Sequence, residues 1–278
     1  MPTSERGTPK PNPLTGVPRR LWRLVSLAHH RLLMLDYDGT LAPFHVAREL
    51  AAPLPHSLNL LRAIAAMPGM QVAIVSGRPV AEMERLLGQL PVTFVGEHGW
   101  EMRLPDGMVI QHPVAPELVE RLEKAERAAE AEGLGELLER KRAGLVLHTR
   151  GLTATRAREL GDQAWELWQA VVESGKILRQ HSDGGVELRV YGRDKGTAVL
   201  SLVSRAPFGT LAVFVGDDAT DEDAFEVVQD CGFGVLVNGS QRPTLAAAHL
   251  PDCASVVTFL KEWLRVVRAA RGSVVEAS

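Results

Sequence analysis

The sequence predicts an α/β fold, in which a doubly wound core with a parallel sheet carries a smaller, inserted α+β unit. The first observation is a series of short, continuous apolar runs in the early and late parts of the chain, separated by helix-like patterns. The second is that polar residues directly follow several of these runs, and the third is a more charged middle section. Strands that alternate with helices are typical of a doubly wound α/β domain.

Continuous apolar runs mark the predicted strands of the core. They lie within residues 31–35 (RLLML), 71–78 (QVAIVSGR), 210–218 (TLAVFVGDD) and 232–237 (GFGVLV). Such runs are typical of strands buried on both faces of a parallel sheet, because neither face meets water. Apolar residues at three- and four-residue spacing predict helices within 53–67 and 195–205.

A different pattern predicts the inserted unit, which we expect at residues 108–190, between core segments 21–107 and 191–278. The elements predicted within it are helices at 114–142 and 154–172, a strand at 143–151, and half-exposed strands at 176–180 and 185–192. Joins that contain Gly or Pro, at 104–107 and 191–196, are the expected hinges.

Composition and charge exclude several classes of protein. The chain has 278 residues and a formal net charge of −3, so it has no basic field to attract nucleic acid. The partly apolar stretch 21–35 is interrupted by arginines and histidines and cannot span a membrane. The two cysteines form no CxxC pair and no secretory signal is visible, which favours a cytoplasmic location. We expect residues 1–20 to be a disordered tail; the sequence indicates no particular protein partner.

Polar side chains follow three of the predicted strands, where doubly wound folds bind their ligands. They are Asp36 and Asp38 after the first strand, Ser76 after the second, and Asp217 and Asp218 after the third. Because the carboxyl ends of parallel strands meet at one edge of the sheet, we expect these side chains to converge there.

Asp36 and Asp38 suggest metal-dependent phosphoryl transfer. Residues two apart on a strand face the same side, so their carboxylates repel each other unless a cation lies between them. Further carboxylates follow within 217–223, and a few oxygen ligands completed by water and phosphate are what Mg²⁺ prefers. Asp36 could then act as a nucleophile that forms an aspartyl-phosphate. Asp38 could protonate the leaving oxygen and later activate water.

A transferring phosphoryl group also needs positive charge and hydrogen-bond donors around its oxygens. Ser76 at a strand end, Lys195 at the start of a predicted helix, and Thr40 in the Asp-Gly-Thr turn are the candidate donors. Backbone amides of such turns point at anions as well.

Four motifs together resemble those of the haloacid dehalogenase-like phosphatases. They are, in the order of that family, DYDGTL (36–41), VSGR (75–78), DKG (194–196) and GDDATDEDAF (216–225). The resemblance covers about 31–100 and 190–265, and it implies a core of that family with a cap domain inserted between the second and third motifs. It also implies a nucleophile and a general acid/base at Asp36 and Asp38, and a phosphate site formed by Thr40, Ser76, Gly77 and Lys195.

The same resemblance implies a magnesium site. Asp36, Asp217 and the backbone carbonyl of Asp38 would bind the ion, and Asp218 or Asp221 would support it. Mg²⁺ is accordingly the expected cofactor.

The inserted unit narrows the resemblance to the trehalose-6-phosphate phosphatases. GEHGWEMR (96–103), HTRG (148–151) and VELRV (186–190) are similar to segments of that family. Arg140 and Thr149 stand where the family usually has an acid and an aromatic residue. The substrate-binding residues that the resemblance implies are Arg78, Glu97, His98, Glu139, Lys141, His148, Arg150 and Glu187.

The resulting interpretation is a phosphomonoester hydrolase. The expected reaction is the magnesium-dependent hydrolysis of trehalose 6-phosphate through an aspartyl-phosphate, the last step of trehalose biosynthesis, with a small sugar phosphate as the binding partner. Two alternatives are other enzymes: a phosphatase for another sugar phosphate, of the sucrose or mannosylglycerate type, and a phosphomannomutase-like phosphotransferase. A third is a catalytically silent sensor, which would have no need for the nucleophile Asp36.

Overall fold

A computed structural model shows the fold of residues 12–173, 175–182, 184–238 and 242–275. Of the tail expected at residues 1–20, residues 1–11 lie outside this described part. The remainder is ordered, because Val17 and Leu21 are buried in the core and a helix begins at Arg19. The ordered chain thus begins before residue 21.

Strands and helices alternate along most of the chain. The strands are β1 (Arg31–Leu35), β2 (Met70–Val75), β3 (Thr93–Gly96), β4 (Glu101–Arg103), β5 (Val109–Gln111), β6 (Leu138–Lys141), β7 (Gly144–His148), β8 (Ile177–Ser182), β9 (Gly185–Val190), β10 (Leu211–Gly216), β11 (Gly232–Val237) and β12 (Ala248–Leu250). The helices are α1 (Arg19–Leu27), α2 (Ser57–Ala65), α3 (Val80–Leu87), α4 (Pro116–Ala131), α5 (Ala154–Leu167), α6 (Gln169–Val172), α7 (Lys195–Arg205), α8 (Glu222–Val228) and α9 (Cys253–Val275).

The large sheet has eight strands in the order β12-β11-β10-β1-β2-β3-β4-β5. The strands from β12 to β3 pair in parallel, and β4 and β5 extend this sheet as antiparallel strands. In the register of the central strands, Leu33 lies beside Val213 on one side and Val72 on the other. The predicted α/β class is confirmed, with a sheet that is parallel in its main part and antiparallel at β4 and β5.

Both faces of the large sheet are covered, which explains its continuous apolar runs. In β1, Leu33 and Leu35 belong to the core cluster that includes side chains of α1, α2, α3 and α9. The alternate residues Leu32 and Met34 belong to the cluster on the other face, with side chains of α7 and α8. Successive side chains of a strand point to opposite faces, so one apolar run supplies both layers.

The small sheet is antiparallel, with strand order β6-β7-β9-β8. Its apolar side chains, such as Leu145, Leu147 and Leu188, form a separate core cluster with side chains of α4 and α5. The buried Trp168, which follows α5, joins this cluster, and its indole N–H donates to the Ala125 carbonyl at 3.2 Å. Helices on an antiparallel sheet are what the sequence predicted for this stretch.

Three details of the middle section differ from the prediction. The helix expected over 114–142 ends at Ala131, because Gly133 adopts φ +78°, and residues 138–141 form β6 instead. β9 is buried along its whole length rather than half exposed. One face packs into the cluster with side chains of α4 and α5, and on the other face Glu187 lies against Lys141 and His98. The boundary between the core and the inserted unit was expected at residue 108. It would separate β4 from β5, although these two strands pair as a hairpin in the large sheet.

The helices were also compared with the length and apolar character that a membrane span requires. Within the described residues, no helix combines the two.

Candidate active site

Three neighbouring strands of the large sheet end in polar residues along one edge. Asp36 follows β1, Ser76 follows β2 and Asp217 follows β10. The backbone N–H of Asp36 donates to the Val215 carbonyl at 2.8 Å, and that of Ser76 donates to the Val95 carbonyl at 2.9 Å. Hydrogen bonds to neighbouring strands therefore fix both residues just beyond the sheet, where ligands bind in this class of fold.

Lys195 is a buried cation at this edge. It is the first residue of α7, whose N-terminus is capped by the Asp194 carboxylate, which accepts from the Thr197 N–H at 2.7 Å. Its Nζ donates to Asp221 Oδ1 at 2.6 Å and lies 3.0 Å from Asp36 Oδ2. Burial alone would lower the pKa of Lys195, but the two carboxylates raise it above its ordinary value. Lys195 is therefore a permanent positive charge beside Asp36.

Three buried carboxylates cluster around this lysine. Oxygen atoms of Asp36, Asp217 and Asp221 all lie within 4.8 Å of one another. Burial raises the pKa of Asp36 well above its usual range, although Lys195 opposes this, and burial with the charge of Asp221 raises the pKa of Asp217 to about 7. The Thr40 hydroxyl donates to Asp217 Oδ1 at 3.3 Å. When all three are ionised, these carboxylates hold more negative charge than one lysine can balance.

Asp38 is held by a neighbouring arginine. Arg78 donates from Nε and Nη2 to the two oxygens of Asp38, each at 2.6 Å, and it also pairs with Glu82. The Arg78 guanidinium lies over the Tyr37 ring, 5.1 Å from its centroid. A planar guanidinium that binds both oxygens of a carboxylate fixes its orientation. Arg78, predicted to bind substrate, here orients Asp38.

Glu97 connects the two sheets. Its carboxylate accepts from the backbone N–H groups of Arg142 and Ala143, at 3.2 and 3.3 Å, in the turn between β6 and β7. Burial raises the pKa of Glu97. The described hydrogen bonds of the Glu97 carboxylate are thus to the backbone of the small-sheet unit, whereas the resemblance implied a contact with substrate.

His98 is buried between the two sheets, where its side chain lines a cavity. Its φ of +56° is in the left-handed region, which few residues other than glycine adopt. Its Nε2 lies 3.8 Å from Glu187 Oε2, and a Cβ added to Gly77 would lie 2.6 Å from the same nitrogen. Burial lowers the pKa of His98 to about 4, although Glu187 opposes this. His98 is therefore neutral at pH 7, and only glycine fits at position 77.

The small sheet presents one ion pair at its centre. Lys141 Nζ donates to Glu187 Oε1 at 2.9 Å, and the Gln180 side-chain amide donates to the other oxygen at 3.4 Å. Burial alone would raise the pKa of Glu187, but the charge of Lys141 and the contact with His98 hold it well below its usual range. Glu187 is ionised and partnered.

A second carboxylate of the small sheet is paired at its edge. Glu139 Oε2 lies 2.7 Å from His148 Nε2 and forms an ion pair with Arg48. Burial would raise the pKa of Glu139, but the His148 hydrogen bond and the charges of Lys141 and Arg48 lower it to about 2. Both predicted acids of the small sheet therefore carry a full charge at pH 7.

A cavity of about 420 Å³ lies between the strand-end edge and the small sheet. Its lining includes twelve of the residues that the sequence predicted for the site: Asp36, Asp38, Ser76, Gly77, Arg78, His98, Lys141, His148, Arg150, Glu187, Lys195 and Asp218. The predicted residues outside the lining are Thr40, Glu97, Glu139, Asp217 and Asp221. Asp217 and Asp221 lie in the carboxylate cluster beneath the cavity, and Thr40 donates to Asp217. Glu139 contacts the lining residue His148, and the Glu97 carboxylate binds the β6–β7 turn.

Sequence reasoning missed several lining residues. Arg189 lies two positions beyond Glu187 on β9 and is 8% exposed, and among the described residues its Nε and Nη1 have no hydrogen-bond partner. Its place in the same Glu-Leu-Arg triplet as Glu187 was the signal that could have found it. Arg48 and Gln180 also line the cavity, and no motif marks either of them.

The fold and this edge define a class of protein. The doubly wound sheet has aspartates after β1 and β10, a serine after β2 and a lysine opening α7. This is the arrangement that the resemblance to the haloacid dehalogenase-like phosphatases implied. A haloacid dehalogenase-like hydrolase from Bacteroides thetaiotaomicron shares the fold, with a TM-score of 0.56, 18% identity and coverage of 84% of this chain and 98% of the other.

Within that class, the chain belongs to the trehalose-phosphatase family. The model of that family matches residues 34–251, which include every predicted site residue. Among curated relatives, a bifunctional trehalose-6-phosphate synthase/phosphatase of Thermoproteus tenax is 35% identical over 239 residues, which are 84% of this chain and 32% of the relative. A trehalose-phosphate phosphatase of Mycobacterium tuberculosis is 30% identical over 258 residues, which are 88% of this chain and 64% of the relative.

The chain therefore spans less than two thirds of the length of both of these relatives. Two solved structures of similar proteins match most of this chain and nearly all of their own length. The C-terminal domain of a C. albicans trehalose-6-phosphate phosphatase has the same fold, with a TM-score of 0.79 and 22% identity over 88% of this chain and 96% of that one. An Aspergillus fumigatus trehalose-6-phosphate phosphatase has a TM-score of 0.61 and 27% identity over 88% and 97%.

Proposed function

We propose that the protein hydrolyses trehalose 6-phosphate to trehalose and phosphate, the last step of trehalose biosynthesis. The observation that carries the proposal is the pairing of Asp36 with Lys195 at the floor of the cavity, 3.0 Å apart. A buried carboxylate beside a fixed cation suits attack on a phosphoryl group, because the lysine attracts the phosphate oxygens and holds the nucleophile in place. The names of the relatives supply the identity of the sugar.

The proposed reaction has two steps. In the first, a carboxylate oxygen of Asp36 bonds to phosphorus as the bond from phosphorus to the sugar oxygen breaks, and Asp38 gives that oxygen a proton. In the second, water attacks phosphorus, Asp38 takes its proton, and the bond between phosphorus and Asp36 breaks. Arg78 occupies both oxygens of Asp38 in this structure, so one contact is exchanged for the sugar oxygen when substrate binds.

The carboxylate cluster fits a magnesium ion. Three buried carboxylates whose oxygens lie within 4.8 Å repel one another, and oxygen-only ligands suit a hard cation. Asp36 and Asp217 would hold the ion, with the Asp38 carbonyl, while Asp221 and Asp218 would support it. When bound, Mg²⁺ would neutralise charge on the transferring phosphoryl group.

The small-sheet unit, formed by β6–β9 with α4–α6, would act as the cap over a core formed by the large sheet and its helices. A disaccharide offers many hydroxyls, and each needs a hydrogen-bond partner once water is expelled. The small sheet supplies such partners in Lys141, Glu187, Gln180 and Arg189, all of which line the cavity. Closure of the cap would exclude bulk water during the reaction. A cytoplasmic location accords with the free thiols of both cysteines.

The test measures both products from trehalose 6-phosphate. We expect equal amounts of trehalose and inorganic phosphate in the presence of Mg²⁺, and no turnover when EDTA replaces the metal. A phosphomannomutase-like transferase would return the phosphoryl group to the sugar and release no free phosphate. A silent sensor would bind the sugar phosphate without turnover, and either outcome would overturn the proposal.

A further inference from the structure

The segment after the catalytic strand, residues 43–50, reaches across the cavity to the small-sheet unit. The Arg150 guanidinium lies over the Phe44 ring, 4.5 Å from its centroid. A Cβ added to Gly151 would lie 2.5 Å from Val46 Cγ1, so these two segments of the chain pack against each other. Phe44 and Val46 also line the cavity. This segment, which we call the front segment, forms a wall of the site.

Arg48 is the charged contact at the end of this wall. Its Nη2 lies 2.9 Å from Glu82 of α3, and its Nη1 forms an ion pair with Glu139 of β6. Its backbone carbonyl accepts from Arg78 Nη1 at 3.1 Å, and Arg78 in turn holds Asp38. One side chain thus joins the large-sheet unit, the front segment and the small sheet.

The partners of Arg48 explain why an arginine suits this position. Glu82 also pairs with Arg78, and Glu139 also bonds His148. A planar guanidinium offers separate donor nitrogens to the two carboxylates, Nη2 to Glu82 and Nη1 to Glu139. All three side chains are between 16% and 24% exposed, so the pairs are partly shielded from water and stronger than surface ion pairs.

We propose that Arg48 is a specificity-determining positioning residue that holds the small sheet against the front segment and so fixes the sugar-binding side of the cavity. The inference rests on the proposed function, because it assigns the sugar to that side. A small phosphate ester needs only the strand-end edge. A disaccharide phosphate also needs the cavity wall at His148, which Glu139 holds in place, and its binding therefore depends on Arg48.

The experiment compares Arg48→Ala and Arg48→Lys with wild type on trehalose 6-phosphate and p-nitrophenyl phosphate. For Arg48→Ala we expect KM for the sugar phosphate to rise about tenfold or more while kcat changes less, and kcat/KM for the small ester to stay within about twofold. Arg48→Lys should restore part of the loss. The matched control is Glu49→Ala, an exposed charge on the same turn, which should change neither substrate.

A second measurement tests the contact between Arg48 and Glu139 in the absence of substrate. Arg48→Ala should lower Tm less in a Glu139→Gln background than in wild type, because the pair is already broken there. Equal kinetic losses on both substrates, no loss on either, or additive Tm changes would overturn the proposal. If wild type does not hydrolyse trehalose 6-phosphate, the proposed function fails, and the Tm comparison still decides whether Arg48 holds the small sheet.

Discussion

The two sides of the cavity carry opposite electrostatic balances. At the edge of the large sheet, Asp36 and Asp221 share Lys195 while Asp217 adds a third buried carboxylate. The pKa values of Asp36 and Asp217 are therefore raised. On the small sheet each carboxylate is paired with a cation, Glu187 with Lys141 and Glu139 with Arg48, and the pKa values of Glu187 and Glu139 are lowered.

This difference in charge suits the two sides of the cavity to different tasks. An edge with excess negative charge attracts a cation and keeps a nucleophile close to it, which suits chemistry on a phosphate. A wall of paired charges offers fixed donors and acceptors, which suits recognition of neutral hydroxyls. Substitutions on the edge should therefore reduce turnover of every phosphate ester, and substitutions on the wall should discriminate between esters.

The largest effect is expected for Asp36→Asn at the edge. The amide cannot form the phosphoryl-enzyme, so turnover of every ester should fall more than about a thousandfold. Because the substitution removes one of three repelling carboxylates, Tm should stay the same or rise. Phosphate release and thermal unfolding measure the two quantities. Residual activity above about one per cent of wild type would show that Asp36 is not the nucleophile.

A somewhat smaller loss is expected for Lys195→Met, which keeps the length of the side chain without its charge. Removal of one fixed donor from a transition state reduces kcat by about a hundredfold to a thousandfold. Asp36 and Asp221 also lose their shared partner, so the variant should be less stable than wild type. Equal proportional losses on large and small esters would support the assignment to the edge, and a loss confined to the sugar phosphate would contradict it.

Glu187→Ala tests the opposite side of the comparison. The substitution removes the acceptor that pairs with Lys141, so kcat/KM for trehalose 6-phosphate should fall about tenfold to a hundredfold. A small artificial ester should lose much less. Steady-state kinetics on both substrates provide the measurement. The same loss on both would mean that Glu187 does not contact the sugar.

The smallest effect is a pH dependence of stability at His98. Unfolded histidine takes up a proton near pH 6.5, whereas burial lowers the pKa of folded His98 to about 4. The unfolded state therefore binds more protons between these values, and stability falls as pH decreases through that window. Between pH 6.5 and 5 this contributes about 1–2 kcal/mol. The free energy of unfolding of His98→Asn, measured with denaturant, should fall less steeply with decreasing pH than that of wild type. Parallel curves of stability against pH would contradict the account.

The sequence predicted the large-sheet side of the site in detail for a physical reason. Each motif there directly follows a strand buried on both faces, so the apolar run of β1 places Asp36 and that of β10 places Asp217. Lys195 was placed as accurately, because α7 begins at this residue behind the Asp194 cap.

The small sheet was harder to predict, because charge patterns do not identify an element. The acidic and basic residues of 114–142 suggested one helix, yet Glu139 lies on β6 after a break at Gly133. The role of Arg48 could not be predicted at all. Its partners Glu82 and Glu139 lie far away in the chain and only the fold brings them together.

The most direct test of the whole account is a ranking of kcat/KM for the wild-type protein with Mg²⁺ over a panel of phosphate esters. The panel contains trehalose 6-phosphate, sucrose 6-phosphate, mannosylglycerate phosphate, glucose 6-phosphate and p-nitrophenyl phosphate. We predict the highest value for trehalose 6-phosphate, by about tenfold or more over each of the others. Equal values across the panel would contradict the assignment of sugar recognition to the small sheet, and no turnover of any ester would contradict the assignment of chemistry to Asp36.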